Sequence, residues 1–232
     1  MNSFWHDPSV ATSYTEASHD LAQDVGYPAV FAALGLGASD GPKNLLDYGC
    51  GAGHTAHAAT RSFGVRVCAV DTSPAMLALA RRQPHHLIDF RHTDDGDLGF
   101  LPDGSMDAAM CGFVFVCVPE RERLGDICRD ILRALRPGGK LAVWGADPAT
   151  IGTANYDGWL TEPGPYSDGA AVRSRLRQAD GSWVDVTDTF WTADTYRSVL
   201  SEAGFAPVTT ATLPSNSPSD ASGLILVTGE KP

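Results

Sequence analysis

Positive charge is scarce in this chain of 232 residues: 17 lysines and arginines stand against 28 aspartates and glutamates, a formal net charge of -11. With no Lys/Arg cluster either, a surface for nucleic acid or anionic lipid is excluded, because both need concentrated positive charge. Long apolar runs are missing too, and none approaches the roughly 20 residues of a membrane span. The segment around Trp5, His6 and Asp7 lacks the basic-then-apolar order of an export signal. Cysteines are few and odd in number (Cys50, Cys68, Cys111, Cys117 and Cys128), and most sit inside apolar segments. They read as reduced, buried small hydrophobes rather than a disulfide framework. No repeat is evident. The expectation is a cytoplasmic monomer or homodimer that acts on a small neutral or cationic molecule, with no nucleic-acid or membrane partner.

What is present is enough apolar material, 43% of residues, to fill a substantial core. Residues 1 to about 37 place Val10, Tyr14, Leu21, Val25, Val30, Phe31 and Leu34 at helical intervals. Short apolar runs then alternate with amphipathic stretches. Strands are predicted at Asn44 to Tyr48, Val65 to Val70, Ile88 to His92, Ala108 to Phe113 and Lys140 to Trp144, and helices at His54 to Ser62, Pro74 to Arg82 and Glu120 to Leu135. Such alternation builds right-handed βαβ units and a parallel sheet covered on both faces. Beyond residue 145 the pattern changes. Val172 to Gln178 and Trp183 to Phe190 flank Asp180-Gly181 as a hairpin, Thr192 to Ala203 reads as a helix, and Phe205 to Leu213 and Leu224 to Thr228 read as two closing strands joined by a Ser/Pro-rich loop. The predicted fold is α/β: a Rossmann-like, doubly wound, seven-stranded sheet, mostly parallel, with a C-terminal antiparallel hairpin, N-terminal helices and a small β-hairpin lid. It is expected as one domain, with a helical cap (1–40), a cofactor-binding core (41–147), a lid insertion (148–191) and a C-terminal helix with antiparallel strands (192–232).

A sheet of this kind binds ligands at the carboxyl ends of its strands. The first strand ends in Asp47-Tyr48-Gly49-Cys50-Gly51-Ala52-Gly53, where glycines let the backbone turn sharply and the next helix presents unpaired N–H groups. Such a turn alone also serves as a plain strand-to-helix connection. Asp71, about twenty residues on at the end of the second strand, adds a carboxylate suited to both hydroxyls of a ribose. Asp94 and Asp95, after the third strand, suit the exocyclic amine of adenine, or else form a solvated acidic loop together with Asp97. The combination points to an adenosine ligand.

These residues resemble the class I S-adenosylmethionine-dependent methyltransferase family over roughly residues 40 to 145. The glycine loop reads G-x-G-x-G after an acidic residue, not the G-x-G-x-x-G of nicotinamide enzymes. "VDTSPAML", "DDGDLGFLPDGSMDAAMCGFVFVCVPE" and "ILRALRPGGKLAVW" are similar to the family's later segments. The resemblance implies S-adenosyl-L-methionine as cofactor and S-adenosyl-L-homocysteine as product. It further implies that Asp47 holds the methionine amino group, that Gly49, Cys50, Gly51 and Gly53 border the methionine part, and that Asp71 binds the ribose. Thr72 and Met76 then lie along the adenine with Asp94 and Asp95 beyond it, Cys111, Gly112 and Phe113 lie beside the methionine, and Tyr14 folds over the cofactor. One departure stands out: Cys117 occupies a position where many small-molecule members carry histidine.

The expected reaction is O-, N- or C-methylation of a small molecule by in-line displacement at the sulfonium methyl, which needs alignment and exclusion of water more than a nucleophile. No catalytic residue is assigned; Tyr14 and Asp147 are the candidates, with Asp147 equally suited to capping a turn. Trp5, Trp144, Tyr156, Trp159, Tyr166 and Trp191 are the candidate acceptor-binding rings, each also able simply to fill the seam between lid and core. His54 with His57 and His85 with His86 lack third and fourth ligands, so no metal is expected. Three alternatives remain at this level: a non-methylating use of the sulfonium, such as cyclisation releasing methylthioadenosine, an NAD(P)-dependent oxidoreductase, and a non-catalytic binding module.

Overall fold

The computed structural model of the chain describes residues 3–16, 21–152, 159–178, 180–214 and 223–232. Strand β1 (Asn44–Tyr48) carries Leu45 and Leu46 on opposite faces, and both are fully buried. A strand buried on both sides needs helices above and below it. The chain supplies them in alternation: α1 (Pro8–Glu16) and α2 (Tyr27–Leu34) precede β1, followed by α3 (His54–Phe63), β2 (Arg66–Asp71), α4 (Pro74–Ala80), β3 (Ile88–His92), β4 (Met106–Gly112), α5 (Arg121–Ala134) and β5 (Leu135–Ala146). Strands β6 (Trp159–Thr161), β7 (Ala171–Arg177) and β8 (Trp183–Thr189) come next, then α6 (Ala193–Ala203), β9 (Val208–Pro214) and β10 (Gly223–Glu230).

The main sheet has seven strands in the order β3-β2-β1-β4-β5-β10-β9. Five are parallel, and β10 pairs antiparallel with both β5 and β9. Strand order reverses between β1 and β4, which opens a crevice at their carboxyl ends. Side-chain alternation divides the core in two. Leu46, Cys111, Val143 and Ile225 face α5 and α6, whereas Leu45, Met110, Ala142 and Leu224 face α2 and α3. On α5, Leu124, Ile127, Cys128, Ile131 and Ala134 are all buried, one stripe at helical spacing. Helix α4 starts where Ser73 Oγ accepts the Met76 N–H at 3.1 Å, with Pro74 at the first position.

Three details depart from the sequence expectation. In place of the expected hairpin stands a three-stranded antiparallel sheet, β6-β7-β8, because Trp159–Thr161 pairs with β7; three residues are too few for periodicity to register. Strand β5 begins at Leu135, since Leu135 already pairs with Met106 before a register shift carries the chain past Pro137. A π-helical turn, Ala22–Gly26, leads directly into α2. Among the described residues no helix is long and apolar enough to cross a membrane.

Replacing Ile131 by alanine, which empties a fully buried site on α5, is expected to destabilise the fold by about 2–5 kcal/mol. Phe100→Ala, at a residue 38% exposed, is expected to cost no more than about 1 kcal/mol. Urea unfolding of the two variants measures both; equal losses would contradict this assignment of the core.

Candidate active site

The crevice at the β1/β4 junction opens into a cavity of about 570 Å³. Its floor is the turn from β1 into α3, tied down where the Gly49 and Cys50 N–H groups both donate to Val70 O at 2.8 and 2.9 Å. Gly49 has φ +72°, and a β-carbon there would lie 2.2 Å from Val114 Cγ2, so glycine is required. At Gly51 the opposite holds: beyond its chain neighbours nothing lies within 4 Å of where a β-carbon would sit. That opening is a cradle with room for a ligand.

Two carboxylates border the cradle. Asp71, at the end of β2, accepts the Gly51 N–H on Oδ2 at 2.7 Å and the Ser73 N–H on Oδ1 at 2.8 Å. Burial nevertheless outweighs these bonds and raises its pKa. Asp47, on β1, is only 3% exposed. Its Oδ2 is buried without a hydrogen-bond partner among the described residues. Desolvation, and then the negative charge of Asp71, push its pKa up to about 8. A buried carboxylate oxygen left bare in a cavity calls for a cationic donor.

Of the residues singled out in the sequence, Tyr14, Asp47, Gly49, Cys50, Gly51, Asp71, Thr72, Met76, Gly112 and Phe113 all line this one cavity. Phe113 holds a left-handed backbone, φ 57°, with its N–H on Trp144 O at 2.9 Å. Such strain in an aromatic residue is typical of ligand sites. Four rings of the expected acceptor wall also reach the cavity: Trp5, Trp144, Trp159 and Trp191. Trp5 packs edge-on to Tyr14, centroids 5.1 Å apart, and Trp144 packs likewise on Phe113 at 5.0 Å. The N-terminal cap is held down by Ser73 Oγ donating to Trp5 O at 2.6 Å and by Ser13 Oγ donating to Gln178 Oε1 at 2.9 Å.

Other expected residues stand elsewhere. Asp94 and Asp95 lie outside the cavity wall: a tight 3-10 turn with Asp95 at φ 52° turns both carboxylates into water, and Asp95 engages Arg123. Gly53 serves as the N-cap of α3, and Cys111 is fully buried in the core behind Gly112. Asp147 is committed to its own turn, with Oδ1 accepting the Ala149 N–H at 3.0 Å, and does not face the cavity. Tyr166 stacks on Phe190 and donates to Glu162 O at 2.6 Å, one layer back from the cavity. Tyr156 lies outside the described residues. Cys50 is buried and its thiol is pushed well above the ordinary range, which removes it as a nucleophile. Among the described residues no three His, Cys, Asp or Glu side chains gather as a metal site.

One residue that sequence reading passed over also lines the cavity: Asp188, on β8 of the lid. Its Oδ1 is buried without a hydrogen-bond partner among the described residues, and desolvation alone pushes its pKa up to about 7. A signal for it existed. Val184, Val186 and Asp188 share one face of β8 by strand alternation, so a carboxylate falls in an otherwise apolar stripe.

Residues 46–143 match the family described as "Methyltransferase domain". Over 218 residues the chain is 33% identical to N-demethylindolmycin N-methyltransferase of Streptomyces griseus, covering 92% of each chain. It is 30% identical over 175 residues to a demethylmenaquinone methyltransferase of Clavibacter sepedonicus, covering 72% of this chain and 66% of that one. The fold is shared with the CcbJ methyltransferase of Streptomyces caelestis, at a TM-score of 0.67, 17% identity and 97% coverage of both chains. With the strand order, the cradle and a match spanning nearly its whole length, the chain belongs to the class I S-adenosylmethionine-dependent methyltransferases.

Proposed function

We propose that the cavity holds S-adenosylmethionine over the Gly49–Gly53 turn and passes its methyl group to a small-molecule acceptor under the lid, leaving S-adenosylhomocysteine. The observation that carries this reading is the bare, buried Oδ2 of Asp47 beside the open cradle at Gly51. When bound, the cofactor supplies an activated methyl on a sulfonium, together with an α-ammonium and a ribose. Asp47 receives the ammonium, which supplies the cation its burial demands. Asp71, prepositioned by the Gly51 and Ser73 N–H groups, keeps lone pairs for the ribose hydroxyls. Thr72 and Met76 flank the base, and Gly112 and Phe113 border the methionine end.

The cap and the lid exclude water and orient the acceptor. Cys117 does not replace a histidine base: its Sγ donates to Phe113 O at 3.5 Å, and burial raises its pKa. Residues 148–191 form the lid in this reading, and Trp159 and Trp191 supply rings for an acceptor to pack against. The near-full-length likeness to an N-methyltransferase supports nitrogen as the atom methylated.

Asp71→Ala is expected to weaken S-adenosylhomocysteine binding by about 10- to 100-fold, through loss of two charge-assisted hydrogen bonds; calorimetry showing unchanged affinity would refute the ribose assignment. Asp47 follows from its pKa of about 8: below that pH it is protonated and cannot pair with an ammonium, so affinity is expected to rise between about pH 6 and pH 8. Asp47→Asn should bind more weakly and lose that slope, and a slope retained in the variant would assign it to another group. Mass spectrometry of the spent cofactor is expected to find S-adenosylhomocysteine. Methylthioadenosine would instead mean a cyclising reaction.

A further inference from the structure

We infer that Asp188 is the acceptor-binding residue of this enzyme, and that the acceptor offers it a nitrogen-bound proton, as an amine does. The inference rests on the methyltransferase reading above and adds the class of acceptor. Strand β8 lies against the segment Phe115–Cys117 that follows β4, so the lid strand reaches the carboxyl edge of the sheet. Asp188 pairs in register with Val172, and the same inward face carries Ser174 and Leu176. The carboxylate therefore stands among Val172, Ser174 and Leu176 in the wall of the same cavity that the Gly49–Gly53 turn lines.

The groups close enough to feel its charge are Tyr14 of α1, Cys117 beside the sheet edge and Tyr196 of α6. None is a cation: burial holds all three protonated and neutral, with pKa values raised. Among the described residues no lysine or arginine lines the cavity. A carboxylate built into an apolar wall with no internal partner is stable in its charged form only beside a ligand cation or N–H donor. Asp47 and Asp71 meet the donor end of the cavity, which leaves Asp188 for the acceptor. The aromatic walls of Trp159 and Trp191 suit such a cation as well.

The proton step is simple. An ammonium acceptor gives its proton to Asp188 Oδ1, and the electrons of that N–H bond stay on nitrogen as the lone pair needed for attack. The carboxylate becomes a neutral acid and the amine becomes neutral, so charge balances. A group whose pKa has been raised to about 7 by desolvation is poised to accept at neutral pH.

The test uses the full chain saturated with S-adenosylhomocysteine and two probes of matched shape, phenethylamine and phenethyl alcohol, with binding read by calorimetry. The amine is expected to bind at least about tenfold more tightly than the alcohol. That preference should grow from about pH 6 to about pH 8 as Asp188 ionises, and should vanish in Asp188→Asn, which keeps the volume and removes the charge. S-adenosylhomocysteine affinity should be the same in the variant. A preference below about threefold, failure of both probes to bind, or a preference surviving in Asp188→Asn overturns the inference. Should the variant not fold, the pH dependence of the native chain still decides. If S-adenosylhomocysteine does not bind the native chain, the donor assignment itself fails rather than the role of Asp188.

Discussion

Negative charge taken out of water is the constraint around which this molecule is arranged. Asp47, Asp71 and Asp188 all carry carboxyl groups whose pKa burial has raised, and all line one cavity. Keeping such groups ionised away from water costs free energy, which a cationic ligand offsets. The donor of this family brings positive charge to two places, its sulfonium and its ammonium. A cavity walled by carboxylates and aromatic rings, with no lysine or arginine facing it among the described residues, is the complement of such a molecule.

The sheet makes this placement possible. Reversal of strand order between β1 and β4 separates the two layers of helices at that point, so backbone ends there with no helix covering it. Asp47 and Tyr48 lie on the last turn of pleat in β1, and alternation sends Tyr48 to the α5 side, where its hydroxyl donates to Gly96 O at 3.0 Å. Asp47 faces the other way, into the crevice. The left-handed backbone at Gly49 then lets the chain leave the strand against Val114 without collision.

The lid is a separate device with its own physics. One face of the three-stranded antiparallel sheet is the more buried, and it lines the cavity with Val172, Ser174 and Leu176. Its outer face is wet: Trp183 is 39% exposed and packs under Arg175. The cap helix α1 reaches the lid through Ser13 and Gln178. Cap, small sheet and main sheet thus enclose the cavity from three directions.

Periodicity and turn chemistry made the core of this fold legible without coordinates. Strands β1 to β4, helices α3 to α6 and the closing antiparallel pair follow from local signals: alternating burial, the Ser73-Pro74 start, the Gly204 stop. The glycine turn that floors the cavity was legible for the same reason, because it lies in one contiguous stretch, with Asp71 a fixed distance further on. What sequence could not decide depended on contacts between distant segments. Asp94 and Asp95 lie near the expected place along the chain, yet a left-handed residue turns them into solvent. Asp147 was spent on its own turn, and Asp188 gained its significance only when β8 was laid against the Phe115–Cys117 segment that follows β4. Hydrogen-bonding along one strand or helix is a local matter and leaves a local trace. Desolvation is set by whatever packs on the far side, and only the tertiary structure supplies that.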